Sequence, residues 1–296
     1  MTRYTGGGIT DHGDLLDNIS THCQSSGFTQ EERYTEGDNS YDVLVLSYGG
    51  FYYYFAVDGT TRLRGNISAS YTASAGWDSL NGVCPKDCYC LNRVPGSYTS
   101  YEMHIDSGTC YITLQNLSGE YYHFGFGVLT KYGTYTGGEF ILNYSVITAG
   151  NNYTTSLTCG LDTTSEFGSG DGNSIVRANA IGANGKEFAT FGSNSAANND
   201  LGKGDSRLGA NRYMNITNAM NNRAVMNPIN AYVEDINDNW IPIGYLPKMR
   251  GIDISLISDG SQVPSLSAWR AFPVGKRGTS STETVFSATA GYAFEE

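Results

Sequence analysis

The chain has 296 residues, enough for one large β domain or two modest ones. It carries 18 basic and 29 acidic residues, a net charge of −11, with no Lys/Arg run. That balance argues against nucleic acid and against an anionic membrane as partners, because both need clustered cations. Only 16% of residues are charged and 22 are tyrosine. The surface must then be covered largely by Ser, Thr, Asn, Gly and Tyr, a neutral hydrogen-bonding surface of the kind found against other proteins.

In chain order, the opening MTRYTGGGITDHGD lacks an apolar h-region, which predicts no secretory signal. Thr10 or Asp11 then caps a short helix, with Leu15, Leu16, Ile19 and Cys23 on one face and Gly27 at its end. Two β-rich runs, 42–48 and 51–57, flank Gly49-Gly50 and predict a hairpin. The segment YEMHIDSGTCYITLQ predicts a second hairpin, turning at Asp106-Ser107-Gly108. Ser118-Gly119 leads into YYHFGFGVLTKYGTYTGGEF, so residues 99–126 read as a three-stranded meander. Residues 151–225 are rich in Gly, Asn, Ser and Ala and read as a long loop excursion. Four β segments follow, in INAYVED, WIPIGYLPKMRGIDISLI, WRAFPVGK and TVFSATAGYAF. The expected fold is mainly β, with antiparallel sheets in a sandwich- or barrel-like arrangement and one short N-terminal helix. Residues 1–150 and 226–296 are expected to share one core; a split into two domains near 150 is the alternative.

No run of about eighteen apolar residues predicts a membrane-spanning helix. Candidates for chemistry are few. Cys84, Cys88 and Cys90 have the spacing C-x3-C-x-C, which departs from the C-x2-C of a zinc ribbon. His104 could supply a fourth ligand; the plainer reading is a turn after Pro85 with partly buried thiols. Ser206 in KGDSRLG lacks both a preceding apolar strand and a downstream histidine. DINDN begins like a calcium loop, but Trp240 stands where the sharp-turn glycine belongs. Glu234, Asp235 and Asp238 could serve glycoside hydrolysis, or form a solvated turn. The aromatics of GFYYYF and YYHFGF could offer a sugar platform, or be strand residues with alternate side chains buried. His123 reads as a packed or surface strand histidine. No catalytic, metal or cofactor site is expected.

A family resemblance rests on three blocks. TGGGITDHGDLLDNISTHCQSSGFT resembles the helix, glycine turn and hairpin of tailed-phage virion proteins. YEMHIDSGTCYITLQNLSGEYYHFGFGVLTKYG is similar to their meander, in which an aromatic–glycine pair precedes a tyrosine-rich segment. NPINAYVEDINDNWIPIGYLPKMRGIDIS, AWRAFPVGKRG and SATAGYAFEE resemble their C-terminal portion, which carries a variant of G-x-L-P-x-x-R. The likeness covers the two ends and little of residues 150–225; the cysteine cluster lies outside it. It implies a non-enzymatic structural component of a tailed bacteriophage particle, in the tail or baseplate. Such a protein is assembled in the bacterial cytoplasm and ends in the virion. Its implied partners are other virion proteins and copies of itself. A receptor- or glycan-binding module on the particle surface, a capsid decoration protein and a depolymerase remain alternatives. Tyr132, Tyr135 and Tyr245 are the expected contacts with a neighbouring subunit.

Overall fold

The structure is a computed structural model. It describes residues 1–36, 41–58, 62–73, 88–91, 96–143, 146–149, 152–155, 175–179, 188–189, 225–234, 240–277 and 290–296. The chain is mainly β, with antiparallel sheets and one helix among the described residues.

Strand β1 (Thr2–Gly6) precedes helix α1 (His12–Ser25). Asp11 caps the helix by accepting the Asp14 N–H at 2.8 Å, and the Asp14 carboxylate returns to the Thr10 N–H at 3.0 Å. Leu15, Leu16, Ile19 and Cys23 form the buried stripe. Five strands follow: β2 (Thr29–Glu36), β3 (Tyr41–Tyr48), β4 (Phe51–Asp58), β5 (Arg62–Ser68) and β6 (Cys88–Leu91). They pair in sequence order as a first sheet. Gly49 and Gly50 close the β3–β4 hairpin with φ of 62° and 86°, the doubly left-handed turn that matches strand twist.

Next come β7 (Ser100–Asp106), β8 (Thr109–Gln115), β9 (Tyr121–Val128), β10 (Thr130–Lys131) and β11 (Thr136–Asn143). After them lie β12 (Val146–Ala149), β13 (Asn152–Thr155), β14 (Ile175–Asn179) and β15 (Phe188–Ala189). The central sheet has the order β1-β7-β8-β9-β11-β14-β15, while β12 and β13 pair only with each other. The stretch expected as a loop excursion therefore contributes β14 and β15 to the central sheet; most of the rest of it lies outside the described residues. The chain ends in β16 (Met226–Glu234), β17 (Trp240–Asp253), β18 (Ser261–Val263), β19 (Leu266–Pro273) and β20 (Ala290–Glu295). A third sheet runs β10-β17-β20-β19-β18, with β16 also paired to β17.

The three sheets stack as layers. Period-two alternation sends Met103, Ile105, Ile112, Phe124 and Phe126 from the central sheet towards Leu44, Leu46, Tyr53 and Phe55 of the first sheet. Helix α1 packs its stripe into the same core. The opposite face carries Tyr111, Phe140 and Leu142 against Leu246, Met249, Phe272, Tyr292 and Phe294 of the third sheet. Residues from both ends of the chain thus meet in the second core, whereas the first belongs to the N-terminal part. Antiparallel sheets commonly leave one face to water; here β8 is buried from Thr109 to Leu114. Polar groups on the covered face are paired accordingly. The Tyr111 hydroxyl donates to the Pro247 carbonyl at 2.7 Å. His123 Nε2 lies 2.8 Å from the Pro273 carbonyl, which can only accept, so the neutral ring carries its proton there. Nδ1 then accepts from the Thr113 hydroxyl at 3.0 Å.

Candidate interaction surface

The outer face of the third sheet is organised by a break in β17. Lys248 has φ of 53°, and the β16–β17 register shifts twice. Simple alternation fails, and Ile243, Leu246 and Met249 all turn inwards at a spacing of three. Tyr245 and Arg250 are left only partly buried. Pairing of β17, β20 and β19 sets Arg250 opposite Ala293, and Ala293 opposite Ala271, two residues from Trp269. The small alanines leave room for the guanidinium to lie against both rings, 5.4 Å from the Tyr245 centroid and 5.3 Å from that of Trp269. Arg250 Nη1 also donates to the carbonyls of Met249 at 2.7 Å and Leu246 at 3.2 Å, which fixes the group in place.

Tyr132 extends this row. Its N–H donates to the Ile243 carbonyl at 2.9 Å, continuing the short β10–β17 pairing. Its ring lies 5.6 Å from Tyr245, tilted by 40°, and its hydroxyl donates to Asn230 Oδ1 at 2.8 Å. Tyr132 is 54% exposed. Trp269, Arg250, Tyr245 and Tyr132 therefore form a continuous ladder of three rings, with the guanidinium between the first two.

Of the three tyrosines expected at a subunit contact, Tyr132 and Tyr245 are brought together. Tyr135 stands apart, half-buried beside the second core. Lys131 Nζ lies 4.7 Å over its ring and donates to its carbonyl at 2.9 Å. Burial, with the Glu139 carboxylate nearby, pushes the Tyr135 hydroxyl pKa up to about 12. Arg250, Trp269 and Asn230 escaped the sequence reading. They lie on three different strands, and only cross-strand pairing joins them.

The other candidates are dispersed. Cys90 is buried in the first core beside Gly65, while His104 projects from the opposite face of the central sheet, stacked on Phe294 at 5.1 Å. The two are not neighbours. Cys84, Ser206, Asp235 and Asp238 lie outside the described residues, and the Cys88, Glu234 and Trp240 side chains do also. Tyr53 and Phe55 of GFYYYF, and Phe124 and Phe126 of YYHFGF, point into the first core. Thr113 and His123 make a buried hydroxyl–imidazole pair. No protein-family model matches the chain, and no curated protein does.

Proposed function

We propose that the protein is a non-enzymatic structural component of a tailed bacteriophage particle, in its tail or baseplate, working by symmetric packing against copies of itself and other virion proteins. The observation that carries this reading is the Trp269–Arg250–Tyr245–Tyr132 ladder on the outer face of the third sheet. Trp, Tyr and Arg are the residue types that anchor protein interfaces, and here they are held rigid before any partner arrives, which lowers the entropy cost of docking. The likeness of both chain ends to virion proteins supports the same reading and supplies the particle.

Two measurements test it. Mass spectrometry of purified particles should detect the chain at many copies, and particles without it overturn the proposal. Tyr245→Ala and Trp269→Ala chains, shown to be folded by thermal melting, should fail to enter particles when they replace the native chain. Incorporation at the native level would remove the ladder from the interface.

A further inference from the structure

The face of the central sheet that meets the third sheet changes character along its strands. It is apolar at Tyr111, Phe140 and Leu142. Further along β7, β8 and β9 it becomes polar. The register sets Glu102, Thr113 and His123 side by side, and Ser100, Gln115 and Tyr121 in the next row of the same face. Same-face rows lie roughly 7 Å apart. The third sheet covers Thr113 and His123. Beyond them Asp259, Gly260 and Phe272 form the far wall, and a cleft of about 190 Å³ remains. Pockets for drug-sized molecules begin at about 300 Å³. This cleft has room for one small ring.

Its electrostatics select the ligand further. Arg3 Nε donates to Glu102 Oε2 at 2.6 Å, and Arg277 Nε donates to Asp259 Oδ1 at 2.6 Å. Each carboxylate already has its cation, so neither a cation nor an anion is the matching guest. The Ser100 hydroxyl donates to Gln115 Oε1 at 3.4 Å, and with the Gln115 amide N–H groups, the Tyr121 hydroxyl and the carboxylates it interleaves donors with acceptors. Burial, together with Asp259 and Glu102, raises the Tyr121 pKa to about 12, so its hydroxyl stays a donor. Tyr121 and Phe272, with ring centroids 6.0 Å apart, close one side of the cleft. Behind Glu102 lies His104, wholly buried, with neither ring nitrogen hydrogen-bonded among the described residues and Nε2 3.8 Å from Glu102 Oε2. A well-packed core has no need of so many polar groups.

We propose that this cleft binds a neutral polyhydroxylated ring, a single sugar unit. Glu102, Gln115 and Asp259 take its hydroxyls. The site uses none of the ladder residues and stands or falls independently of particle assembly.

The test is titration of the full chain with N-acetylglucosamine, galactose and glucose, each separately to tens of millimolar, followed by NMR. At least one sugar should give saturable shifts that map to Tyr121, Phe272 and Thr113. Gln115→Ala and Asp259→Asn should each weaken that binding about tenfold, the loss expected for one hydrogen bond to a buried or charged group. Tyr245→Ala should leave it unchanged. If a cleft variant fails to fold, the shift map of the native chain decides alone. No saturable shift with any of the three sugars, shifts confined to the ladder, or equal shifts with calcium chloride would each overturn the proposal.

Discussion

Arg177 and Glu139 are joined by a 2.5 Å ion pair that is almost wholly buried on the flank of the first core. Glu139 Oε2, Arg177 Nε and the nearby Tyr53 hydroxyl have no hydrogen-bond partner among the described residues. Such a pair resists the loss of one member far more than the loss of both. Arg177→Met should cost about 3–5 kcal/mol, because it strands a buried carboxylate, whereas Glu139→Leu with Arg177→Met should be close to neutral. Urea unfolding of the two variants decides it; equal losses in both would show that the pair itself contributes the stability.

Acid should weaken the fold through its buried histidines. Burial lowers the pKa of His12 to about 4, of His104 to about 3 and of His123 to about 4. At His104 the Glu296 carboxylate opposes the shift, while Arg3 and Arg270 add to it. The ordinary value near 6.5 holds in the unfolded chain. Stability from these groups is therefore complete above about pH 6.5 and drains away as pH falls towards the folded values, at up to about 1.4 kcal/mol per unit for each histidine. Unfolding free energies measured from pH 7 to about pH 4 should fall steeply, and a non-titrating residue at His123 should flatten the slope by one such increment. An unchanged slope would place that ring in water.

Cys23, Cys90 and Cys110 are buried, and burial with the Cys23 thiol beside it raises the Cys110 pKa well above its ordinary value. The thiolate is the reactive form. Peptides containing these three residues should stay unlabelled after iodoacetamide treatment of the folded protein and become labelled in urea. Rapid native labelling of Cys23 would show that α1 detaches from the sheet.

Gly127 of β9 pairs with Thr109 of β8, with φ of 151°, and a Cβ there would stand 2.5 Å from the Gly108 carbonyl and 2.7 Å from the Thr109 Cα. Both are backbone atoms and cannot step aside. Gly127→Ala should cost about 3 kcal/mol, at the upper end of overpacking losses. At Gly50 a Cβ meets nothing within 4 Å, so Gly50→Ala should cost only the left-handed backbone strain, about 1–2 kcal/mol. Thermal melts that rank the two the other way would contradict this account.

What the sequence disclosed was local. The capped helix, the Gly49-Gly50 hairpin and the meander through β9 follow from periodicity and turn chemistry over a few residues, and each is present. The burial of both faces of the central sheet was not legible. Thr113 and His123 look like solvent-side residues until a sheet formed mostly by residues more than 100 positions downstream covers them. The ladder was half legible. Tyr132 and Tyr245 stand out as tyrosines beside glycine, but the turn at Lys248 resets which face β17 presents. Nothing in the spacing of Tyr245, Arg250 and Trp269 says that they touch.

The layered order also has a consequence for synthesis. The first sheet, the helix and the heart of the central sheet are complete once residue 143 has been made, whereas the third sheet, apart from β10, waits for residues 226–296. At ribosomal speed that interval lasts roughly ten seconds or more. During it, the half-made molecule displays Tyr111, Phe140 and Leu142 on an open sheet, beside the polar rows of Glu102 and Gln115. Those polar rows reduce the sticky area that the nascent chain must keep from its neighbours on the same message.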